Sequence, residues 1–276
     1  GTKLAALSGH RLPVSAASFA PSGETVLTCS WDCTTRIWEA SSGRCLMEMA
    51  GHNGPVLQAS FSPSGETLVT ASTDSDCRLW EASTGELLLV FHGHRDWVVS
   101  ASFSADGEKL VTASRDRTGR IWDTDGQCLV DLRGHTSWVT AGIFSPNGQS
   151  VATASDDRTA MLWDVESLQP GACLHVLQGH ASRVNCVSFA PDGHLVLTAS
   201  LDHTAIIWDA ASGARVMTLA GHTDALHDAR FVPDDDWVVT ASQDGTAQVW
   251  HLETGQCRMK LHGHASAVKC ICFATT

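Results

Sequence analysis

The sequence predicts an all-β protein built from one repeated unit, and three observations carry that reading. The dipeptide Gly-His recurs with its histidine at His10, His52, His94, His135, His180, His222 and His264, in steps of 42, 42, 41, 45, 42 and 42 residues. A tryptophan follows each of the first six histidines after 28 residues, at Trp38, Trp80, Trp122, Trp163, Trp208 and Trp250, and an aspartate follows after 22, at Asp32, Asp74, Asp116, Asp157, Asp202 and Asp244. A threonine stands four residues before each aspartate and a serine two before it. Between these landmarks no segment sustains a helical period, and short β-rich runs alternate with turn signals.

In the second repeat the runs are Val56 to Phe61, Thr67 to Ser72, Cys77 to Trp80 and Glu86 to Phe91, with Ser62-Pro63-Ser64-Gly65 as the first turn. Four strands in about 42 residues, with Gly-His near the start and a tryptophan before an acidic residue near the end, form the pattern of a propeller blade. The chain resembles the WD40-repeat family over essentially its whole length. The residue after the tryptophan is Asp123, Asp164 or Asp209 in three repeats, Glu39 or Glu81 in two and His251 in one. These departures are mild, because the tryptophan carries the packing.

The resemblance implies a single β-propeller domain over residues 1–276, with repeats at about 9–50, 51–92, 93–133, 134–178, 179–220 and 221–262 and a partial one at 263–276. An outer-type strand at Lys3 to Leu7 and an inner-type strand at Ala267 to Phe273 would flank six complete sets, for twenty-six strands. The fold expected is a seven-bladed propeller with an incomplete last blade. The alternative is a six-bladed ring with a spare C-terminal tail. Either way the chain reads as a piece of a longer protein, and an incomplete blade leaves strand edges that invite self-association.

Thirty acidic against eighteen basic side chains give a formal charge of −12. Such a field repels polyanions, so nucleic acid and anionic membrane surfaces are not expected partners. No apolar run reaches the ~18 residues of a spanning helix. The ten cysteines form no CxxC pair or zinc-like spacing and read as free thiols of a reducing, cytoplasmic compartment. Cys45, Cys128, Cys173 and Cys257 share one repeat position, seven before a Gly-His histidine, and read as buried or half-buried packing residues.

The resemblance places Gly-His between the outer strand of one blade and the inner strand of the next, and the aspartate in the hairpin between the second and third strands. A neutral imidazole there can donate to the aspartate and exchange a hydrogen bond with a hydroxyl, whose oxygen accepts from the indole N–H. The tetrads are therefore His10, Thr28 or Ser30, Asp32 and Trp38, with the same offsets in the other five repeats; the threonine is favoured. A His-Asp-Ser grouping copied six times is structural rather than catalytic, and no enzymatic constellation or cofactor site is expected. His92-Gly-His94 and His262-Gly-His264 could clamp a metal, but each second histidine belongs to the repeat pattern, so no metal is expected.

Family resemblance further implies a binding face where the histidine loops and the tight hairpins converge. Three positions per blade face a ligand there: the third and fifth residues after the histidine, and the residue before the hairpin aspartate. They are Pro13, Ser15, Trp31; Pro55, Leu57, Thr73; Trp97, Val99, Arg115; Trp138, Thr140, Asp156; Arg183, Asn185, Leu201; Ala225, His227, Gln243; and Ala267, Lys269. Three of the four tryptophans outside the repeat pattern, Trp31, Trp97 and Trp138, fall on this set, and the fourth, Trp237, starts a strand near the opposite rim. Trp and Arg dominate binding hot spots, so Trp97, Arg115, Trp138 and Arg183 would form an arc. The arginines fit an acidic or carboxylate-bearing peptide, and cation–π stacking on Trp97 and Trp138 is equally allowed. The expected function is a non-catalytic scaffold binding a peptide or protein; the alternative is a regulatory or autoinhibitory sensor domain of a larger enzyme or ATPase.

Overall fold

The computed structural model describes residues 5–166, 170–233, 236–264 and 266–273. Among them lie twenty-four strands in six four-stranded antiparallel sheets, each sheet ordered as its strands occur in the chain. The first sheet is β1 (Val14–Phe19), β2 (Thr25–Ser30), β3 (Thr34–Glu39) and β4 (Cys45–Ala50). The second is β5 (Val56–Phe61), β6 (Thr67–Ser72), β7 (Cys77–Glu81) and β8 (Leu87–Phe91), and the third β9 (Val98–Phe103), β10 (Lys109–Ser114), β11 (Thr118–Asp123) and β12 (Cys128–Arg133). The fourth is β13 (Val139–Phe144), β14 (Ser150–Ser155), β15 (Thr159–Asp164) and β16 (Cys173–Gln178). The fifth is β17 (Val184–Phe189), β18 (Leu195–Ser200), β19 (Thr204–Asp209) and β20 (Arg215–Ala220). The sixth is β21 (Leu226–Phe231), β22 (Trp237–Ser242), β23 (Ala247–His251) and β24 (Cys257–Leu261). Among the described residues no helix is long and apolar enough to cross a membrane.

The flanking strands differ from the sequence reading. Of the first, residues 3 and 4 lie outside the described residues and 5–7 form no strand; Ala267 to Phe273 forms none either. The sheet count is thus six, the number in the six-bladed alternative, and no seventh sheet forms among the described residues. The reason is the ladder itself: a strand exists only where a partner pairs its backbone groups. The last segment is tied to the sixth sheet by bonds that include Val268 N–H to the Ser242 carbonyl and Ile271 N–H to an Asp228 carboxylate oxygen, both at 2.9 Å.

Packing divides the chain into two compact units. One comprises the described part of Gly1–Asp116 and Cys272–Thr276 with Arg120–Leu129; the other comprises Arg117–Gly119 and Val130–Ile271. In the first, Leu27, Cys29, Ile37 and Met49 of the first sheet bury against Val56, Ala59, Leu68 and Trp80 of the second. Val69, Ala71, Leu79 and Phe91 bury in turn against Val98, Leu110 and Trp122. The second unit repeats this between its fourth and fifth sheets and again between its fifth and sixth. Strands such as β6, β10 and β18 are buried on both faces, which is why they read as continuous apolar runs rather than alternating ones.

The outer strands are a different case. On β4, β12, β16 and β20 one side chain, Met49, Leu132, Leu177 or Leu219, is fully inward. The cysteines that open β4, β12, β16 and β24 are exposed rather than buried. Each starts the outer strand that forms the edge of its sheet among the described residues, so the expectation of packing cysteines is corrected.

Two local devices aim the loops. In each inner pair the register slips by one residue, between Val14 and Ala16 in β1, Val56 and Gln58 in β5, Val139 and Ala141 in β13, Val184 and Cys186 in β17, and Leu226 and Asp228 in β21. This bulge falls on the fifth residue after the histidine and re-aims its side chain. In the hairpin that follows each aspartate, the next residue is left-handed: Cys33, Ser75, Arg117, Arg158 and His203 at φ 67–74°, and Gly245 at 81°. Only the sixth hairpin uses the residue that adopts this conformation without cost. Replacing exposed Arg158 by glycine should therefore raise stability by about 0.5–1 kcal/mol, and Gly245→Ala should lower it by a similar amount. Urea midpoints moving in the same direction for both changes would contradict the hairpin assignment.

Candidate functional site

The hairpins and histidine loops are held by one network repeated six times. Histidine Nδ1 lies 2.7–3.0 Å from aspartate Oδ2 in the pairs His10–Asp32, His52–Asp74, His94–Asp116, His135–Asp157, His180–Asp202 and His222–Asp244. Nε2 of each lies 2.7–2.8 Å from the hydroxyl of Thr28, Thr70, Thr112, Thr153, Thr198 or Thr240. The indole N–H of Trp38, Trp80, Trp122, Trp163, Trp208 or Trp250 donates to the same hydroxyl at 2.7–2.9 Å. One proton arrangement satisfies every member: indole to hydroxyl, hydroxyl to Nε2, and Nδ1–H to carboxylate.

The threonine therefore stands inside the network and the serine beside it. Ser155, for example, donates to the Trp138 carbonyl at 2.9 Å and accepts from Asp157 N–H at 3.1 Å. Each aspartate also accepts the backbone N–H after its histidine, as Asp157 does from Thr136 at 3.0 Å. A further hydroxyl two residues on, from Thr34, Thr159, Thr204 or Thr246, donates to the other carboxylate oxygen at 2.6–2.7 Å. Sequence reasoning missed this fifth member, although its signal is plain: threonine follows the aspartate by two in every repeat but the second, which has Asp76.

Burial alone would raise these carboxyl pKa values, but the hydrogen bonds outweigh it. Asp74 is held at about 2, and Asp32, Asp157, Asp202 and Asp244 lie far below the usual range. Burial also lowers the His222 pKa, against the pull of Asp244.

The candidate binding residues fall into two sets, one in each unit. In the first, Trp31 is 52% and Trp97 37% exposed, whereas the framework tryptophans are 1–3% exposed. The Arg115 guanidinium lies 3.7 Å from the centre of the Trp97 ring, stacked as a cation–π pair. Arg115 N–H donates to the Trp97 carbonyl at 2.9 Å, so backbone as well as ring holds the pair. Half-buried Val99 occupies the bulge of the same sheet.

In the second unit Trp138 is 40% exposed. Asp156 accepts from the Ser137 hydroxyl at 3.1 Å and lies 3.9 Å from Arg183 Nε, so that arginine already has a carboxylate neighbour. Bulge residues at the fifth position are partly spent on the framework: Asn185 donates to the Leu226 carbonyl at 2.7 Å and Thr140 to Val184 at 2.6 Å. Ser15 does the same to Val56 at 2.7 Å in the first unit. At the sixth sheet Lys269 Nζ donates to His227 Nε2 at 2.8 Å and to Gln243 Oε1 at 3.2 Å. Trp237, at the far end of that sheet, meets His251 edge-on at 4.9 Å. Among the described residues no group of three or more His, Cys, Asp or Glu side chains is placed to hold a metal.

The family model for the WD domain, G-beta repeat, matches residues 1–39, 43–81, 85–123, 126–164, 171–209 and 213–251. The chain belongs to the WD40 family. No curated protein matches it individually. Each WD40 match ends on the residue after a framework tryptophan, so the six matched repeats carry the six complete networks.

Two outcomes follow. Thr153→Val removes the hydroxyl between Trp163 and His135, and should cost about 1–3 kcal/mol in denaturant unfolding because a buried indole N–H loses its acceptor. Thr153→Ser, which keeps that hydroxyl, should cost distinctly less. The second concerns acid. Both the carboxylates and His222 have folded pKa values below their unfolded ones, so their contribution is complete above the unfolded values and is lost as pH falls. Urea midpoints should begin to decline below about pH 6.5 and fall more steeply from about pH 4 towards 2. A flat profile down to pH 3 would contradict the network.

Proposed function

We propose that this WD40 chain is a non-catalytic interaction platform that binds a peptide or protein through its histidine loops and tight hairpins. One observation carries the reading: Trp31, Trp97 and Trp138 are 37–52% exposed on those segments, while the repeat's own tryptophans are sealed at 1–3%. Large aromatic surface is costly to leave in water, and indoles presented from anchored loops bury area on binding with little loss of side-chain entropy. The hydrogen-bond networks supply the anchoring, since each loop and hairpin is tied at its histidine and its aspartate.

The partner proposed is acidic or carboxylate-bearing. In the first unit the ring of Trp97 orients the Arg115 guanidinium at 3.7 Å, and a stacked guanidinium presents its N–H groups at its edge, the geometry that carboxylates accept. In the second unit Trp138 and Arg183 each stand third after a framework histidine, and Asp156, at the position matching Arg115, tempers the charge. The free thiols of Cys33, Cys45, Cys77, Cys173, Cys186 and Cys257 support a reducing cytoplasmic compartment. Affinity capture from a lysate of the source organism should lose its specific partners when Trp97→Ala and Arg183→Ala are combined. Retention of the same partners by that variant would make the exposed residues structural only.

A further inference from the structure

A second surface lies at the opposite ends of the strands in the first unit. Each sheet has its histidine loop and its β2–β3-type hairpin at one end, so the turns between β1 and β2, β5 and β6, and β7 and β8 converge at the other. There a cleft of about 890 Å³ opens between the first and second sheets. Its lining mixes apolar and polar groups: Ile37 of β3, Leu46 and Met47 of β4 and Phe61 of β5 form an apolar part, beside the hydroxyls of Ser22, Thr25, Ser64, Thr67 and Ser83. Leu46 remains 44% exposed on that wall.

One lip of the cleft is acidic. Glu66 and Glu81 flank it and are neighbours across the turns, because Ala82 N–H donates to the Glu66 carbonyl at 2.8 Å. Glu81 accepts a hydroxyl, from Ser83 at 3.0 Å, and neither glutamate joins an ion pair among the described residues. The matching acidic pairs of the neighbouring sheets have cations at hand. Glu39 of the first sheet is 3.7 Å from Arg44, and the third sheet places Lys109 where the second has Thr67. Two unneutralised carboxylates beside the apolar part of the lining focus negative potential into the cleft.

We propose that this cleft docks a basic peptide segment, with an aliphatic side chain seated against Leu46, Met47 and Phe61 and an adjacent lysine or arginine reaching Glu66 and Glu81. The two requirements belong together. The aliphatic stem of a lysine or arginine packs along apolar surface while its charged head stays at the wet, acidic lip, and the seated side chain removes the exposed face of Leu46 from water. This surface is separate from the exposed tryptophans, and its occupant has the opposite charge to the one proposed for them.

Panning a library of random heptapeptides against the intact chain tests this, with enriched sequences re-measured singly by fluorescence polarisation. Enrichment of lysine or arginine next to leucine, isoleucine or methionine is expected. Binding of those peptides should weaken at least tenfold in Glu66→Gln/Glu81→Gln, weaken with Leu46→Ser, decline with added salt, and persist in Trp97→Ala. Because the three glutamate and leucine substitutions are at accessible positions, circular dichroism and the urea midpoint should stay unchanged. The proposal is overturned if no basic–aliphatic pattern is enriched, or if the enriched peptides bind the glutamine pair as tightly as the unaltered chain. Loss of their binding in Trp97→Ala instead would assign them to the other surface.

Discussion

Every sheet of this protein depends on one chain of hydrogen bonds running from a sealed indole through a threonine hydroxyl and an imidazole to a hairpin carboxylate. Its members come from the third strand, the second strand, the preceding loop and the hairpin, so a single network fixes four segments separated by up to 28 residues. Each donor inside it has an acceptor, which is what allows imidazole, hydroxyl and carboxylate to be buried among apolar side chains without a desolvation penalty left standing. The same saturation makes the groups unavailable for chemistry. A threonine whose oxygen already accepts from tryptophan and whose proton is given to histidine is not a nucleophile.

What the network anchors is more variable than the network. The residue at the bulge, five after the histidine, has the same place in the ladder of each sheet, yet its chemistry changes from sheet to sheet. Ser15, Thr140 and Asn185 use their polar groups on the backbone of the following sheet. Val99 is apolar, and His227 meets Lys269. A fixed backbone position thus carries interchangeable side chains, and the same freedom at the third residue after the histidine and the residue before the aspartate allows Trp97 and Arg115 to stack.

Legibility followed repetition. The strands of the second repeat were readable to within a residue or so, because turn residues and β-rich runs recur at constant offsets. The network was readable because four residue types keep register through six copies. Single-copy features were harder. Stacking of Arg115 on Trp97 and the approach of Arg183 to Asp156 depend on rotamers that spacing does not specify. The outer-strand cysteines carry an apolar residue type at a regular position, yet they are exposed, because whether an edge strand is covered depends on what lies beyond it.

By itself, then, the sequence determined the repeating unit, its strand order and the residues that lock it, since these follow from periodicity and local hydrogen-bonding capacity. The tertiary structure alone decided the rest. It set the serine beside the network with bonds of its own, left Ala267 to Phe273 outside the six sheets, and opened an acidic-lipped cleft between two sheets whose lining comes from turns some 40 residues apart. Each of these outcomes depends on which groups from distant segments come within bonding distance, and pairing of that kind is a property of the packed chain rather than of any repeat within it.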